Sequence, residues 1–314
     1  MPPTSRRSPL VRHPRTQYPL TDIEHGREIL TLLASLRFAT GMQLQRAVFA
    51  REATSERQAR YSSTRALRRL FDAGLIRRVP VFAPSAASGR LSRQIVQVLS
   101  PAGARAIGFD PRLSRTRSPK ERTVLAHDFW LVELAVMALE GVPAPLTITH
   151  WWNDRVLSGR KRKGLLSLPT IPDALLVVRH RQTGKEYPCL VELDLGTESV
   201  MSTARRRADF ARKIEGYLPY LGAPFRTEFG IDAPPIVLIV AESERRLASL
   251  RATTQRLGGG GRFWFATLPR LRGISQSDRR VIAPSAGLHA PFWAQSWQRA
   301  QDDGWRSLAA RCGV

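Results

Sequence analysis

Cysteine, lysine and long apolar runs are scarce in this sequence, and each scarcity excludes a class of protein. The two cysteines, Cys189 and Cys312, are too few for a disulfide framework or a four-cysteine zinc site. No apolar run reaches the roughly 18 residues that a membrane-spanning helix needs, and residues 1–20 lack the apolar segment of a secretory signal. The sequence therefore predicts a protein of the reducing cytoplasm that associates with no membrane.

Positive charge is abundant, in contrast. Lysine and arginine number 49 against 26 aspartates and glutamates, which gives a formal net charge of +23. Most of this charge is arginine, whose planar guanidinium matches phosphates and guanine edges. A field of this sign attracts polyanions, so a nucleic-acid partner is predicted. The alternative is a basic solvated surface that reflects only the arginine codons of a GC-rich genome.

Composition and periodicity divide the chain into five segments of an α/β protein, α+β overall. They are a disordered basic arm at 1–20, a winged helix-turn-helix at 21–108, a charged linker at 109–121, an α/β domain at 122–270 and a helical C-terminal extension at 271–314. The tryptophans of the last segment are expected to pack a terminal helix.

Three helices and a hairpin are predicted within the second segment. The segments 21–24 and 40–43 each match a capping box, which marks a helix start. A third helix covers about residues 55–73 and ends at Gly74, because glycine readily adopts the left-handed conformation of a C-cap. Strands at 75–81 and 94–99 enclose a turn-rich stretch. This order of elements is typical of a winged helix-turn-helix.

The third helix separates into two faces on a helical wheel. The core face consists of Ser63, Leu67, Leu70 and Phe71. The outer face consists of Tyr61, Ser62, Arg65, Arg68 and Arg69. Because the major groove admits one helix, these five outer residues are predicted to contact duplex DNA, with no cofactor required.

The hairpin adds two further candidate contacts. Arg90 and Arg93 lie near its tip, where they are predicted to reach the flanking DNA backbone or the minor groove. The alternative is a protein-interaction module, since winged helices also serve that role.

Carboxylates occupy strand ends in the α/β domain. Asp173 begins one predicted strand, while Glu192 and Asp194 lie on one face near the end of its neighbour. Clustered carboxylates repel unless a cation lies between them. Two hypotheses follow: a divalent-metal site, or ion pairs with arginines of this basic chain.

The order α-β-β-β-α-β over residues 122–240 resembles the restriction-endonuclease-like, or PD-(D/E)xK, fold. The resemblance implies that Asp173 and Glu192 bind Mg²⁺ or Mn²⁺, with Glu133 as a carboxylate from the first helix. At the position of the family's lysine this chain has Asp194, which cannot stabilise the negative charge that develops on phosphate.

Lys213 is the candidate replacement for the missing lysine. On a wheel it lies nearly opposite an apolar stripe, so it is predicted to face away from the sheet unless the side of the helix with Phe210 and Tyr217 is also buried. A non-cleaving domain is therefore expected. The rival is a metal-dependent nuclease or nickase whose catalytic residues are Asp173, Glu192, Asp194 and Lys213.

The motifs together are similar to the replication-relaxation family of plasmids and other mobile elements. The residues that carry this resemblance are His127-Asp128, Pro172-Asp173, the run from Glu192 to Glu198, Lys213, Tyr217 and Tyr220. The resemblance spans most of residues 25–240. It implies a role in plasmid replication, DNA relaxation or transfer, with duplex DNA, a relaxase or replication proteins as partners and a location at the nucleoid or plasmid. A transcriptional regulator with a dimerising C-terminal domain is a further rival, in which the chain forms a homodimer.

Overall fold

The computed structural model describes residues 18–50, 53–84, 91–110, 122–196, 210–272 and 291–314. The chain divides into two compact units, Met1–Val136 and Met137–Val314, which we call unit 1 and unit 2. Each unit combines helices with a β-sheet. The predicted mixed α and β fold class is therefore confirmed.

Unit 1 begins with helical segments. They are a 3₁₀ turn at Leu20–Asp22, α1 at Gly26–Leu36, α2 at Gly41–Leu44 with a π-helical turn at Gln45–Phe49, and α3 at Glu56–Asp72. The capping box predicted at 40–43 forms, since the Thr40 hydroxyl accepts a hydrogen bond from the Gln43 backbone N–H. The box predicted at 21–24 does not form, because the Thr21 hydroxyl donates to the Asp22 carboxylate and α1 starts only at Gly26.

The third helix, α3, matches its prediction closely. The Ser55 hydroxyl accepts from the Gln58 N–H and satisfies one of the free amides at the helix start. The four residues assigned to the core face are all buried. Gly74 follows the helix with a φ of 75°, which glycine adopts without a side-chain clash.

A three-stranded antiparallel sheet follows the helices of unit 1. Strand β1 covers Phe38–Thr40, β2 covers Ile76–Pro84 and β3 covers Leu91–Leu99. The order is β1-β3-β2, so β1 lengthens the hairpin into a sheet. The predicted hairpin is confirmed, although residues 85–90 at its tip lie outside the described residues and Arg90 with them.

Two helices complete the first half of the chain. Helix α4 covers Pro101–Ala106 and α5 covers Arg122–Glu140. The division between the two units falls within α5, whereas the sequence places a linker at 109–121. Residues 111–121 lie outside the described residues.

Unit 2 contains a mixed sheet, with seven strands among the described residues. They are β4 at Leu146–Asn153, β5 at Ala174–His180, β6 at Glu186–Asp194, β7 at Ile236–Ala241, β8 at Phe263–Thr267, β9 at Gln295–Arg299 and β10 at Trp305–Ser307. The order is β10-β9-β8-β7-β6-β5-β4. Strands β6, β7 and β8 run parallel, and the other neighbours are antiparallel. The central strand β7 is buried along its whole length, as expected for a strand covered on both faces.

Helices pack against this sheet. They are α6 at Asp154–Arg162, α7 at Phe210–Tyr220, α8 at Ala223–Phe229, α9 at Glu244–Arg256, α10 at Leu268–Leu271 and α11 at Leu308–Arg311. Side chains of α6, α7, α8 and α9 share one core with strands β5 to β8. Among the described helices, none combines the length and apolarity that crossing a bilayer requires.

One segment of unit 2 differs from its prediction. Within the described residues 291–314, the C-terminal extension is not mainly helical, because β9 pairs with β8 and β10 pairs with β9, so that both strands extend the sheet. Trp293 and Trp297 are fully buried beside these strands. The basic run at 160–163 occupies the last turn of α6 and the residue after it.

Candidate functional site

The outer face of α3 presents cations to solvent. Arg57, Arg60 and Arg65 are exposed, and the Tyr61 side chain between them is 69% exposed. Within the described part of the chain, none of these three arginines forms an ion pair. Arg57, Tyr61 and Arg65 recur every four residues and Arg60 lies three residues after Arg57, so all four side chains lie on one side of the helix.

Arg57 and Arg60 were not among the predicted contacts. The signal that finds them is the same helical spacing, continued one turn toward the N-terminus from Tyr61. Ser62, which was among them, is only partly exposed.

Arg68 and Arg69 differ from the exposed arginines because unit 1 itself holds them. The Arg68 Nε donates to Asp72 at 2.9 Å. The Arg69 Nη1 donates to the Asp22 carbonyl oxygen at 3.2 Å, and its guanidinium lies 5.0 Å from the centre of the Tyr18 ring. Both side chains are partly buried. These contacts anchor the N-terminal segment and the C-terminal end of α3.

The hairpin carries a cation and an aromatic side by side. Arg93 on β3 is exposed and pairs across the strands with Phe82, whose side chain is 63% exposed. Arg77 on β2 is also exposed. The hairpin therefore adds positive charge next to an uncovered aromatic ring.

The acids of α5 bind residues of unit 1. Glu133 is buried, accepts a hydrogen bond from the Gln43 side chain at 2.9 Å and forms an ion pair with Arg46. Asp128 forms an ion pair with Arg37 at 2.9 Å. Both oxygens of Glu133 therefore bind side chains of unit 1, and its role as a helix-borne carboxylate beside Asp173 and Glu192 stays a prediction.

Glu192 is held by the helix that follows its strand. Its carboxylate is buried near the end of β6, where Lys213 Nζ lies 3.0 Å from Oε2 and the Tyr217 hydroxyl donates to Oε1. The exception stated in the prediction for Lys213 applies here. Phe210 and Tyr217 are both buried, so α7 is covered on two sides and Lys213 faces the sheet.

Burial dominates the protonation of Glu192. It raises the pKa of the carboxyl from 4.5 to about 7, although the Lys213 ammonium opposes this shift. The negative charge of Asp173 acts in the same direction as burial. Asp173, which precedes β5, accepts a hydrogen bond from the Leu193 backbone N–H at 2.8 Å.

Asp194 is bound in a fork by an arginine. Nε and Nη2 of Arg246 each donate to one of its oxygens at 2.7 Å. The Gly196 N–H adds a bond of 2.8 Å to Oδ1. Arg246 lies in the first turn of α9, so this pair ties that helix to the end of β6. Asp194 therefore has a structural partner.

This arrangement does not fit a divalent cation. Mg²⁺ and Mn²⁺ bind through carboxylate oxygens, but both oxygens of Glu192 and both of Asp194 already accept hydrogen bonds. A search of the described residues finds no group of three histidines, cysteines, aspartates or glutamates that can hold a metal ion. In this conformation the acids serve as ion-pair anchors.

Comparison with known sequences assigns the chain to a family. The family model for replication-relaxation proteins matches residues 30–226, which is more than half of the chain. No curated protein and no solved structure matches the chain. The matched region contains α3, the hairpin and the acids of unit 2, and it supports a role in the replication or relaxation of a plasmid or other mobile element. The chain therefore belongs to the replication-relaxation family.

Proposed function

We propose that unit 1 is a winged helix that binds duplex DNA through the exposed face of α3. The observation that carries this proposal is the set of exposed guanidinium groups of Arg57, Arg60 and Arg65 around Tyr61, which form no ion pair with any described residue. Over that stretch Glu56, at the helix start, is the one acid. Such a face suits the major groove, where arginine reaches both guanine edges and phosphates.

The hairpin β2–β3 acts as the wing in this proposal. Arg93 and Arg77 are exposed on its two strands and supply contacts to the sugar–phosphate backbone beside the groove. Arg68 and Arg69, in contrast, position α3 within unit 1, since both are bonded to neighbouring residues. DNA contact by α3 then depends on its N-terminal and central turns.

Unit 2 is proposed to be a nuclease-like domain that does not cleave DNA. Its acids are neutralised by Lys213 and Arg246. A carboxylate that is already paired with a cation is a poorer ligand for a second cation. Unit 2 instead adds affinity for DNA, or it recruits a relaxase, a replication protein or a second copy of the chain. DNA binding itself requires no cofactor.

One observation favours metal-dependent cleavage as a second candidate function. Lys213 Nζ lies 3.0 Å from Glu192 Oε2. A lysine from α7 therefore stands beside a predicted metal ligand and could supply the positive charge that an aspartate at position 194 cannot. Incubation of the purified chain with supercoiled plasmid and Mn²⁺ separates the two candidates. Nicking that disappears in Asp173→Ala would establish the nuclease, whereas intact plasmid with both proteins supports the non-cleaving domain.

A binding titration tests the α3 face. The variant Arg60→Ala/Arg65→Ala removes two exposed arginines from α3, and Arg27→Ala/Arg105→Ala removes two exposed arginines from α1 and α4. The plot of log K against log salt has a negative slope, and each lost phosphate contact reduces the magnitude of that slope by about 0.9. We expect the α3 variant alone to bind a labelled duplex more weakly and with a smaller slope. Equal behaviour of the two variants would reject α3 as the contact surface.

A map of chromosomal and plasmid binding sites tests the wider role. We expect crosslinked sites at a replication or transfer origin. A single site beside a promoter would indicate a transcriptional regulator instead.

A further inference from the structure

A run of cations ends helix α6 on unit 2. Arg160, Lys161, Arg162 and Lys163 are consecutive, and the last three are exposed. Between Asp154 and Asp173 the sequence has five arginines and lysines and no acid. The run contains two of the five lysines in a chain whose other cations are arginines.

The helix that carries this basic run is held in place by its neighbours in unit 2. The Asn153 side chain accepts from two backbone N–H groups at the start of α6, and Leu157 is fully buried in the core of unit 2. The Arg160 guanidinium lies 4.7 Å from the centre of the Trp152 ring, and the Lys161 ammonium donates to the Leu168 carbonyl oxygen. The two remaining cations therefore project from a helix end that is held in place.

Arg162 and Lys163 have no counter-charge within the part of the chain that the structure describes. The negative end of the α6 helix dipole attracts cations and offsets a part of the mutual repulsion. That attraction acts within the last turn and does not neutralise full charges on exposed side chains. A polyanion that bridges neighbouring cations relieves this repulsion further.

We propose that residues 160–163 form a second DNA-binding surface, which binds the phosphodiester backbone without recognising the base sequence. Lysine binds phosphate as a point charge rather than through the planar fork that reads guanine, so the two lysines favour backbone contact. The surface belongs to unit 2 alone and its existence does not depend on contacts made by α3.

The test compares two variants of the full chain that each remove one arginine and one lysine. Arg162→Ala/Lys163→Ala changes the proposed surface, and Arg181→Ala/Lys185→Ala changes exposed cations in the turn between β5 and β6. Fluorescence anisotropy with a labelled duplex and with a single strand of equal length gives the affinity over a series of salt concentrations. Since the altered side chains are exposed, both variants are expected to keep the unfolding temperature of the parent chain.

We expect the first variant to lower the log–log salt slope by about 1.8 on the duplex, or by about 1.4 on the single strand, according to the strand form that the surface binds. The second variant should leave both slopes unchanged. Equal losses in the two variants would show a diffuse effect of net charge and overturn the proposal, as would an unchanged slope in the first.

Two further measurements keep the proposal separate from that of α3. Repeating the comparison in the Arg60→Ala/Arg65→Ala chain tests whether unit 2 binds DNA when the α3 face is altered, and we expect the same loss of slope. Sedimentation with phosphatidylserine vesicles tests a membrane surface as the ligand. Vesicle binding that depends on Arg162 and Lys163, with DNA binding unaffected, would overturn the proposal.

Discussion

Arg65 in unit 1 and Arg246 in unit 2 carry the same guanidinium group in opposite surroundings. Arg65 is exposed on α3 and forms no ion pair among the described residues. Arg246 has a side chain that is 16% exposed and binds Asp194 through two hydrogen bonds. The comparison shows that net charge predicts an affinity for polyanions but not which cations supply it. Burial and the presence of an acid partner decide that.

The largest expected effect on stability comes from removing the acid of the buried pair. Asp194→Ala removes the carboxylate that accepts two hydrogen bonds from the partly buried Arg246, which is expected to lower the free energy of unfolding by about 3 kcal/mol. Arg65→Ala should change it by less than about 0.5 kcal/mol, as is usual for an exposed side chain. Chemical denaturation of both variants measures the difference.

A double variant serves as the control for this pair. Asp194→Ala/Arg246→Met removes both charges and is expected to recover most of the lost stability, because no uncompensated charge remains. If Asp194→Ala alone unfolds like the parent chain, the ion pair contributes nothing and the contrast with Arg65 loses its basis.

The second effect is a pH dependence of the free energy of unfolding, caused by Glu192. In the unfolded chain its carboxyl ionises near 4.5, whereas burial raises the pKa to about 7 in the folded chain. The folded state therefore holds more protons between these values, so the free energy of unfolding falls as pH rises through this window. The slope is at most about 1.4 kcal/mol per pH unit, or about 3 kcal/mol in all.

The variant Glu192→Gln tests this pH dependence. It has no group to ionise at that position, so its stability should fall less than that of the parent between about pH 4 and about pH 8, a range that brackets the window. Denaturant titrations at several pH values give the two curves. Parallel curves would mean that Glu192 ionises near its ordinary value despite its burial.

The smallest effect distinguishes two arginines of one helix. Arg68→Ala removes an ion pair with Asp72 one turn away and is expected to cost about 0.5 kcal/mol of stability. Its effect on DNA affinity should be smaller than that of Arg65→Ala, because Arg68 is already engaged within unit 1. A mobility-shift titration with both variants measures this order. A greater loss of affinity in Arg68→Ala would move the contact surface toward the C-terminal end of α3.

Local sequence patterns were sufficient to predict most of the helices and strands of unit 1. The buried positions of α3 recur at helical spacing, Gly74 marks the helix end, and the alternating strands of the hairpin lie on either side of a turn-rich segment. Each of these signals acts over a few residues, so it can be read without knowledge of the fold. The capping box expected at 21–24 failed because a competing bond between neighbouring side chains took its place.

Unit 2 shows where such patterns are insufficient. A helical wheel with one apolar stripe places Lys213 away from the sheet, but α7 is covered on a second side, where Tyr217 is buried. The tryptophans near the C-terminus suggest a packed helix, whereas β9 pairs with β8 and continues the sheet. Both outcomes depend on neighbours that lie far away in the sequence.

The sequence by itself determined the basic character of the chain, the mixed fold class, the position of α3 and the hairpin, and the family. Those properties follow from composition, short-range periodicity and motif residues. Only the tertiary structure decided that Glu192 meets Lys213, that Asp194 meets Arg246 and that Glu133 meets Arg46. The partner of a buried charge is set by which elements pack together, and packing brings together residues that the sequence separates by 21 to 87 positions.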